Sequence, residues 1–241
     1  GLIVRGSSPK DTFVFLDGIL IPILFHFMGL TSVYNSDLLE SLEFMPGGFS
    51  VRNGDASAGI VELKSRAPKT DRLHGYLDVN LFETSALVEG PITEHSSFYA
   101  AVRRSDIDFI LPQVVENVQG LDMMVAPWYY DYQAKYRYAP DRRDEYAVQA
   151  YGSRDEMRMV FDKPVQASIG GLFSAESEFH RLTGTWRHRG RDATSLLTVS
   201  PGYNYARMSM LSRFVLDMKT ADLVVREDLN VPVSKSLTLN G

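Results

Sequence analysis

Two aspartates, Asp106 and Asp108, are spaced so that an extended strand would place both carboxyl groups on one face. Two carboxyl groups held side by side can act as the general acid and the general base of a hydrolytic reaction. Such a pair needs a group that orients the base, or a nucleophile beside it, and the sequence places neither near these residues. We therefore expect a solvated pair of carboxylates without catalytic work.

Two histidines, His180 and His188, fall on the same parity of one predicted strand, together with Trp186. Eight residues separate the histidines, and this spacing is roughly 26 Å along a strand. A single metal ion bound at about 2 Å from each ligand cannot join two rings so far apart. We predict no metal site here, and we expect the three rings to belong to an interfacial aromatic belt.

The glycine pair Gly47-Gly48 could cradle a phosphate group with its backbone amides. A phosphate loop continues with Lys followed by Ser or Thr, and that continuation is missing here. These glycines are better explained by turns that need a positive φ. We predict no bound cofactor.

The composition is that of a folded chain, and it does not distinguish a chain that folds in water from one that folds in lipid. Hydrophobic residues make up 44% of the 241 residues, and the formal net charge is -5, which excludes a disordered chain and argues against a nucleic-acid binder. There is no cysteine, so a disulfide framework is excluded. The longest apolar run, residues 18–30, contains Pro22 and is too short for a membrane-spanning helix. A membrane location would therefore require strands.

The clearest strand pattern runs from Trp128 to Tyr138. Alternate side chains of a strand point to opposite faces, and here one parity is aromatic while the other is polar. The aromatic parity holds Tyr130, Tyr132, Ala134, Tyr136 and Tyr138, and the polar parity holds Asp131, Gln133, Lys135 and Arg137. In a soluble sandwich the aromatic face would form the core, whereas in an outer-membrane barrel it would contact lipid and the polar face would line a wet lumen.

The same alternation recurs through the second part of the chain, with turn residues between the strands, which is typical of barrels. The apolar parity changes between Met218 and Leu223, and we expect a β-bulge near Ala221 to cause the change. Short polar links alternate with two long segments, 111–127 and 162–178. Outer-membrane barrels sort their links in this way, with short periplasmic turns and long extracellular loops.

Residues 1–70 have a different character. Asp17-Gly18 is a turn signal, and Asn35 or Ser36 can cap a short helix. The expected elements are a strand at 12–20, a helix at 37–41 and strands at 42–45 and 60–63. Together they predict a small mixed α+β unit that is too small to build a large core of its own.

Residues 39–66 resemble the plug-domain signature of TonB-dependent outer-membrane receptors. That signature runs through an acidic strand, a turn of Gly and Pro, a Tyr-Gly pair and a final strand that follows a glycine. The matching positions here are Glu40, Glu43, Pro46, Gly47, Gly48, Gly54 and Gly59, with Asn53 in the place of the tyrosine. Upstream, the family's Arg-Gly and Val-x-Val-Asp-Gly elements are matched by Arg5, Gly6, Asp17 and Gly18.

The resemblance implies a mainly β chain in two parts. Residues 1–70 would be the C-terminal part of a plug domain, and residues 71–241 the N-terminal part of an antiparallel transmembrane β-barrel. Family barrels have about 22 strands around a plugged lumen, and this chain has about eight or nine candidate strands. We therefore expect an internal fragment of a longer receptor whose TonB box lies upstream.

The resemblance also implies active uptake across the outer membrane of a Gram-negative bacterium, with no bond made or broken, so an enzyme is not expected. A scarce ligand such as a siderophore, cobalamin or a glycan would bind from outside, and TonB would pull the plug. The partners implied are outer-membrane lipid, TonB and the ligand, without nucleic acid. The residues expected to face the lumen and contact plug or ligand are Arg103, Asp131, Gln133, Lys135 and Arg137, and a possible ligand-facing plug loop holds His26, Phe27 and Met28.

Two other functions fit the same sequence. An outer-membrane barrel of this build could serve as a surface anchor or as a component of protein export. A soluble all-β binding domain is the second alternative, and it predicts folding in plain buffer. Charging the aromatic face would then destabilise a water-soluble product, whereas in a barrel it would prevent membrane insertion.

Overall fold

The computed structural model describes residues 6, 11–26, 29, 31–49, 58–110, 123–161, 172–210, 214–234 and 237–240. The chain divides into two compact units, Gly1–Ala67 and Pro68–Gly241. The boundary expected from the sequence is after residue 70. Among the described residues, no helix has the length and apolar character needed to cross a membrane.

The first unit is a four-stranded sheet in the order β2-β1-β4-β3. Its strands are β1 (Thr12–Leu16), β2 (Ile19–Leu20), β3 (Leu39–Met45) and β4 (Gly59–Ser65). The central strands β1 and β4 are parallel, and the two outer pairs are antiparallel. The apolar side chains buried most completely in this unit are Leu16, Ile19, Leu38, Ile60 and Leu63.

The strand expected at 12–20 is a hairpin, so that prediction is wrong in extent while its turn signal is confirmed. Asp17 and Gly18 adopt φ angles of 51° and 76°, a left-handed conformation that glycine and aspartate tolerate well. The chain reverses there, and Leu16 pairs with Ile19.

The helix expected at 37–41 is a single 3-10 turn, Ser36–Leu38. The predicted cap is present, because the Asn35 side chain accepts a hydrogen bond from the Asp37 amide at 2.9 Å. β3 pairs with β4 from Leu39 onward, so strand pairing takes the backbone groups that a longer helix would have used.

The second unit is an antiparallel sheet of nine strands in which every strand pairs with its sequence neighbours, so the predicted mainly β fold is confirmed. The strands are β5 (His74–Val79), β6 (Glu83–Thr93), β7 (Ser96–Ser105), β8 (Met123–Tyr138), β9 (Asp144–Phe161), β10 (Leu172–Arg189), β11 (Thr194–Met210), β12 (Phe214–Ser234) and β13 (Leu237–Asn240).

This sheet buries its more polar side, which also holds the rings of Tyr99, Tyr129, Tyr151 and Phe179, and exposes its apolar side. In β8, Asp131 and Gln133 are each 2% exposed, whereas Tyr136 and Tyr138 are 43% and 40% exposed. A soluble antiparallel sheet shows the reverse arrangement. The polar face also carries Gln149, Ser153, Arg181, Thr183, Thr198 and Ser200, and the apolar face carries Val148, Leu182, Val199 and Leu223.

The links at one end of the sheet are short, and two links at the other end are long. Residues 94–95, 139–143, 190–193 and 235–236 form the short-link end. At the opposite end, residues 106–122 and 162–171 form the long links, while 80–82 and 211–213 are short. The loops predicted at 111–127 and 162–178 reach too far toward the C-terminus, because β8 begins at Met123 and β10 at Leu172. Both strands are longer than the about 9–11 residues that a membrane-spanning strand needs.

The bulge expected near Ala221 is absent, and its prediction is wrong. β11 and β12 pair without a register shift from Met210↔Phe214 to Thr194↔Asn230. The apolar parity itself changes sides, because Leu216 and Met218 share the parity of the polar face whereas Leu223 lies on the apolar face. The change occurs where Ala221 pairs with Tyr203, an aromatic residue of the apolar face.

Candidate functional site on the polar face of the sheet

Three of the predicted site residues meet on the polar face. Arg103 on β7 is the direct cross-strand partner of Asp131 on β8, and its Nε and Nη2 atoms lie 2.8 and 2.7 Å from Asp131 Oδ2. Gln133 Nε2 donates to Asp131 Oδ1 at 2.9 Å. The Asp131 side chain is 1% exposed and that of Arg103 is 11% exposed, so each charge depends on the other for compensation.

A third strand joins this cluster through Glu83 on β6. Tyr129 donates its hydroxyl to Glu83 Oε2 at 2.8 Å, and Arg103 Nη1 lies 3.9 Å from the same oxygen. The guanidinium therefore faces two carboxylates from two strands, which its planar arrangement of five donors allows. We call Glu83, Arg103, Asp131 and Gln133 the Arg103 network.

A second buried arginine joins β10, β11 and β12. Arg181 Nη2 donates to Asn204 Oδ1 at 2.9 Å and lies 3.7 Å from Asp222 Oδ1. Arg181 Nη1 donates to the backbone oxygens of His180 and Tyr203 at 2.9 and 3.3 Å. A side chain at Gly202 would place its Cβ 2.7 Å from Arg181 Nη1, so the glycine provides the space for this contact.

A third group lies at the short-link end of the polar face, around Glu145. The predicted residue Arg137 donates to Glu145 Oε2 at 2.7 Å, and Arg187 and Arg189 lie 3.4 and 3.8 Å from the carboxylate. The predicted residue Lys135 lies two residues before Arg137 on β8, opposite Tyr99 and Gln149. The five predicted residues thus share one face, but Arg137 belongs to a separate cluster from Arg103, Asp131 and Gln133.

The carboxylates of Asp106 and Asp108 are held by Arg104 and by the hydroxyl group of Thr84. Arg104 Nη2 donates to Asp108 Oδ2 at 2.7 Å, and Arg104 Nη1 lies 3.4 Å from Asp106 Oδ1. Thr84 donates its hydroxyl to Asp106 Oδ2 at 2.6 Å. β7 ends at Ser105, and the Ile110 amide donates to the Asp106 backbone oxygen at 3.3 Å, so the pair lies on a turn and not on the extended strand that its spacing suggested.

Two bands of aromatic rings cross the apolar face. Near the short links, Tyr146 stacks on Tyr138 and Trp186 with ring centroids 6.3 and 6.2 Å apart. Toward the long links, His180 stacks on Tyr132 and Tyr203 at 5.8 and 6.5 Å. Beyond this upper band the same parity becomes charged, with Arg154 Nη2 2.5 Å from Glu176 Oε1. The apolar face is therefore a belt with two borders.

The two histidines of this face have separate partners. His180 forms hydrogen bonds with the Tyr132 hydroxyl at 2.9 Å and with the Glu178 carboxylate at 2.7 Å. His188 forms one with the Asp144 carboxylate at 2.9 Å. Across the described parts of both units, no group of three or more His, Asp or Glu side chains is arranged to hold a metal ion. Both rings contribute to the aromatic bands.

In the first unit, the resemblance motifs mark turns and a strand junction. The Asp17 carboxylate accepts hydrogen bonds from the Ser65 amide at 3.0 Å and from the Ser65 hydroxyl, which joins the ends of β1 and β4. Gly6, Gly18 and Gly48 have φ angles of 78°, 76° and 73°. Glu43, Pro46 and Gly47 are exposed, Gly59 begins β4, and Arg5 and Gly54 lie outside the described residues.

The predicted ligand-facing loop is described at His26 only, because Phe27 and Met28 lie outside the described residues. The His26 side chain is 2% exposed. Its amide donates to the Thr31 oxygen at 3.0 Å, and its own oxygen accepts from the Gly29 amide at 2.9 Å. A tight turn therefore sets its backbone, and its ligand role stays a prediction.

Sequence reasoning missed Arg181, Asp222 and Glu145 as members of the polar clusters. Arg181 lies on the polar parity of β10, and that signal alone could have identified it. Asp222 was hidden by the change of parity in β12, and Glu145 by its position beside a charged turn.

Solved structures with this fold cover nearly the whole chain. The ferric enterobactin receptor PfeA of Pseudomonas aeruginosa, solved as a mutant, matches 98% of this chain with a TM-score of 0.64 and 17% identity. The siderophore receptor PirA of Acinetobacter baumannii matches 98% with a TM-score of 0.60 and 15% identity. The copper transporter OprC matches 99% with a TM-score of 0.59 and 11% identity. The chain has the fold of a TonB-dependent outer-membrane receptor.

This receptor fold is represented in part. The chain spans 41%, 40% and 47% of the lengths of PfeA, PirA and OprC. No protein-family model matches the sequence, and no curated protein matches it at a significant level. The likeness to these proteins therefore rests on structure, at sequence identities of 11–17%.

Proposed function

We propose that this chain is part of a TonB-dependent receptor that takes up a scarce ligand across the outer membrane of a Gram-negative bacterium. The first unit would be the later part of its plug, and the nine-stranded sheet the first part of its barrel. The observation that carries the proposal is the reversed polarity of the sheet, with its polar face buried and its apolar belt exposed. Water-soluble sheets lack this reversal, and barrels in lipid require it.

The apolar face supports a membrane location. Tyr136, Val148, Leu182 and Val199 lie between the two aromatic bands and are exposed. Trp186 and His180, one from each band, are six residues apart on β10, about 20 Å along the strand. Barrel strands tilt by about 35–45°, so this separation is roughly 15 Å of height, and both bands lie within the apolar zone of about 25 Å that outer-membrane barrels present to lipid.

The polar face supports a transport role. The Arg103 network, the Arg181 cluster and the arginines around Glu145 offer many donors and acceptors along one wall of the proposed lumen. Arg137, Arg187 and Arg189 are 28%, 40% and 44% exposed. Hydrated ion pairs of this kind contribute little each, so their contacts with a plug or a ligand can be exchanged at low cost. We propose that Arg103, Asp131, Gln133, Lys135 and Arg137 face this lumen.

The named structural relatives suggest the ligand class to test. PfeA is described as a ferric enterobactin receptor, PirA as a siderophore receptor and OprC as a copper transporter. A ferric siderophore or another scarce metal complex is therefore the proposed substrate of this receptor, carried without chemical change. The structural neighbours are receptors and transporters, which favours uptake over catalysis.

Uptake by the complete protein tests this function. The full-length gene would be expressed in a Gram-negative host that lacks its own siderophore receptors, with and without TonB. We expect radioactive iron, supplied as catecholate or hydroxamate complexes, to accumulate in the cells that have TonB. Equal accumulation in both hosts, with the receptor folded in the outer membrane, would contradict TonB-dependent uptake and favour an anchoring or export role.

A further inference from the structure

The segment that leads into the sheet, residues 68–73, is attached to β6 by a buried carboxylate. We call this segment the strap. Lys69 Nζ lies 3.1 Å from Glu89 Oε1, and the Lys69 amide donates to Glu89 Oε2 at 3.3 Å. The Glu89 side chain is 1% exposed. Hydrogen bonds to a charged partner contribute more than neutral ones, so this carboxylate fixes both the backbone and the side chain of Lys69.

The next residue of β6 holds the strap by close contact. A Cβ built on Gly90 would lie 2.9 Å from Leu73 Cα, a distance that real Cβ atoms essentially never show, and 3.0 Å from the Arg72 oxygen, which is a tight contact. Successive residues of a strand project to opposite sides. The strap therefore contacts β6 through Glu89 on one side and against bare backbone at Gly90 on the other.

The C-terminal end of the strap is fixed as well. His74 Nε2 lies 2.9 Å from Asp71 Oδ1, and this contact lowers the pKa of the Asp71 carboxyl below its usual range. His74 then begins β5 opposite Glu89. One residue of β6 thus anchors both the start of the strap and the first position of the following strand.

We propose that the strap stays closed on β6 throughout transport, so that any rearrangement of the first unit ends at Pro68. This inference rests on the proposed function, because it assigns a fixed attachment point to a unit that moves. Force on the first unit passes through the covalent chain to Lys69 and from there into the β6 ladder. Glu89 and Gly90 are positioning residues for the strap.

Hydrogen exchange of the complete receptor in outer-membrane vesicles tests the strap directly. The peptide covering residues 66–74 would be followed in the wild type, in Lys69→Met and in Gly90→Val. Gly184→Ala is the matched control, because the nearest atom to its added Cβ is 3.9 Å away. We expect exchange about tenfold faster in the two strap variants, and no change in the control.

A second comparison follows the wild-type peptide while TonB and an iron-loaded siderophore are present. Unchanged slow exchange supports a strap that stays closed, whereas faster exchange under these conditions overturns it. Fast exchange in the resting wild type, or equal exchange in folded strap variants and control, also overturns it. Heat-modifiable migration on gels identifies folded variants. Failure of TonB-dependent uptake with slow exchange in the resting protein would contradict the proposed function and leave the resting strap intact.

Discussion

Single residues on the polar face are held by more than one partner each. Arg103 faces Asp131 and Glu83, and Arg181 contacts three groups on β11 and β12. Shared partners of this kind reduce the desolvation cost of a buried charge. They also make each charge hard to remove alone, which gives the clearest stability test at this scale.

Replacing Arg103 by Met should destabilise the intact barrel by about 3–5 kcal/mol, because Asp131 keeps its charge in a buried site. The double variant Arg103→Met/Asp131→Leu should recover a large part of that loss, since apolar side chains of similar size can replace a buried ion pair. Urea unfolding of the full-length protein in lipid vesicles measures both. Additive losses in the double variant would contradict a coupled pair.

Gly152 lies between the rings of Tyr132 and His180 in the upper aromatic band. An added Cβ would lie 2.6 Å from His180 Nδ1 and 2.6 Å from the Phe179 oxygen, and the backbone atom cannot move away freely. Gly152→Ala should therefore cost about 1–3 kcal/mol through overpacking. Gly184→Ala is the control with open space, and equal unfolding midpoints for both variants would refute the crowding argument.

For single residues, the sequence predicted the face of the sheet on which a side chain lies better than it predicted the side chains that it contacts. Parity alone placed Arg103, Asp131 and Gln133 on one face, because strand periodicity is local. The contact of Arg181 with Asp222 depends on the register of three strands, which a single sequence does not specify.

Among the elements, the long strands differ in polarity along their length. Between the aromatic bands the exposed parity is apolar, and beyond the upper band it carries charges such as Arg154 and Glu176. β12 follows the same rule, since its apolar parity changes beside Tyr203. The bulge prediction failed because it assumed one solvent along the whole strand, whereas the surroundings change at the border of the belt.

Charging the apolar belt should have a depth-dependent effect. Val148→Arg, between the bands, should cost about 2–4 kcal/mol, and Val215→Arg, beyond the upper band, about 0–1 kcal/mol. Both valines are exposed, at 49% and 51%, so exposure alone cannot explain a difference. Folding yields and unfolding midpoints in lipid vesicles measure the effect. Equal, small effects at both positions would indicate that water surrounds the whole sheet.

Other element predictions failed for local reasons. The strand at 12–20 was divided by the turn that its own Asp17-Gly18 signal marks, and the helix at 37–41 lost to the pairing of β3 with β4. The ends of β8 and β10 were misplaced because segments beyond the belt lose the simple alternation. A local turn decided the first of these boundaries, and the pairing of β3 with β4 decided the second.

At the scale of the whole molecule, the nine-stranded sheet of the proposed receptor faces water on its polar side and lipid on its apolar side. In the proposed receptor, the partly exposed arginines around Glu145 exchange contacts with a plug and a ligand at low cost, and a lipid-facing belt holds the barrel in place. The strap then gives the first unit a fixed attachment at its C-terminal end. The first two features follow from the alternation of single residues along the strands, and the strap follows from the contacts of Lys69 with Glu89 and of Leu73 with Gly90.

Spin labels on two neighbouring residues test most directly whether the apolar face of the sheet contacts lipid. The chain has no cysteine, so Val148→Cys and Gln149→Cys each place a label on one face of the full-length receptor in outer-membrane vesicles. We predict that the label at 148 collides with dissolved oxygen in lipid and is shielded from a water-soluble nickel complex, and that the label at 149 lacks this lipid signature. Equal access of the nickel complex to position 148 and to an exposed turn residue would contradict a membrane-spanning sheet.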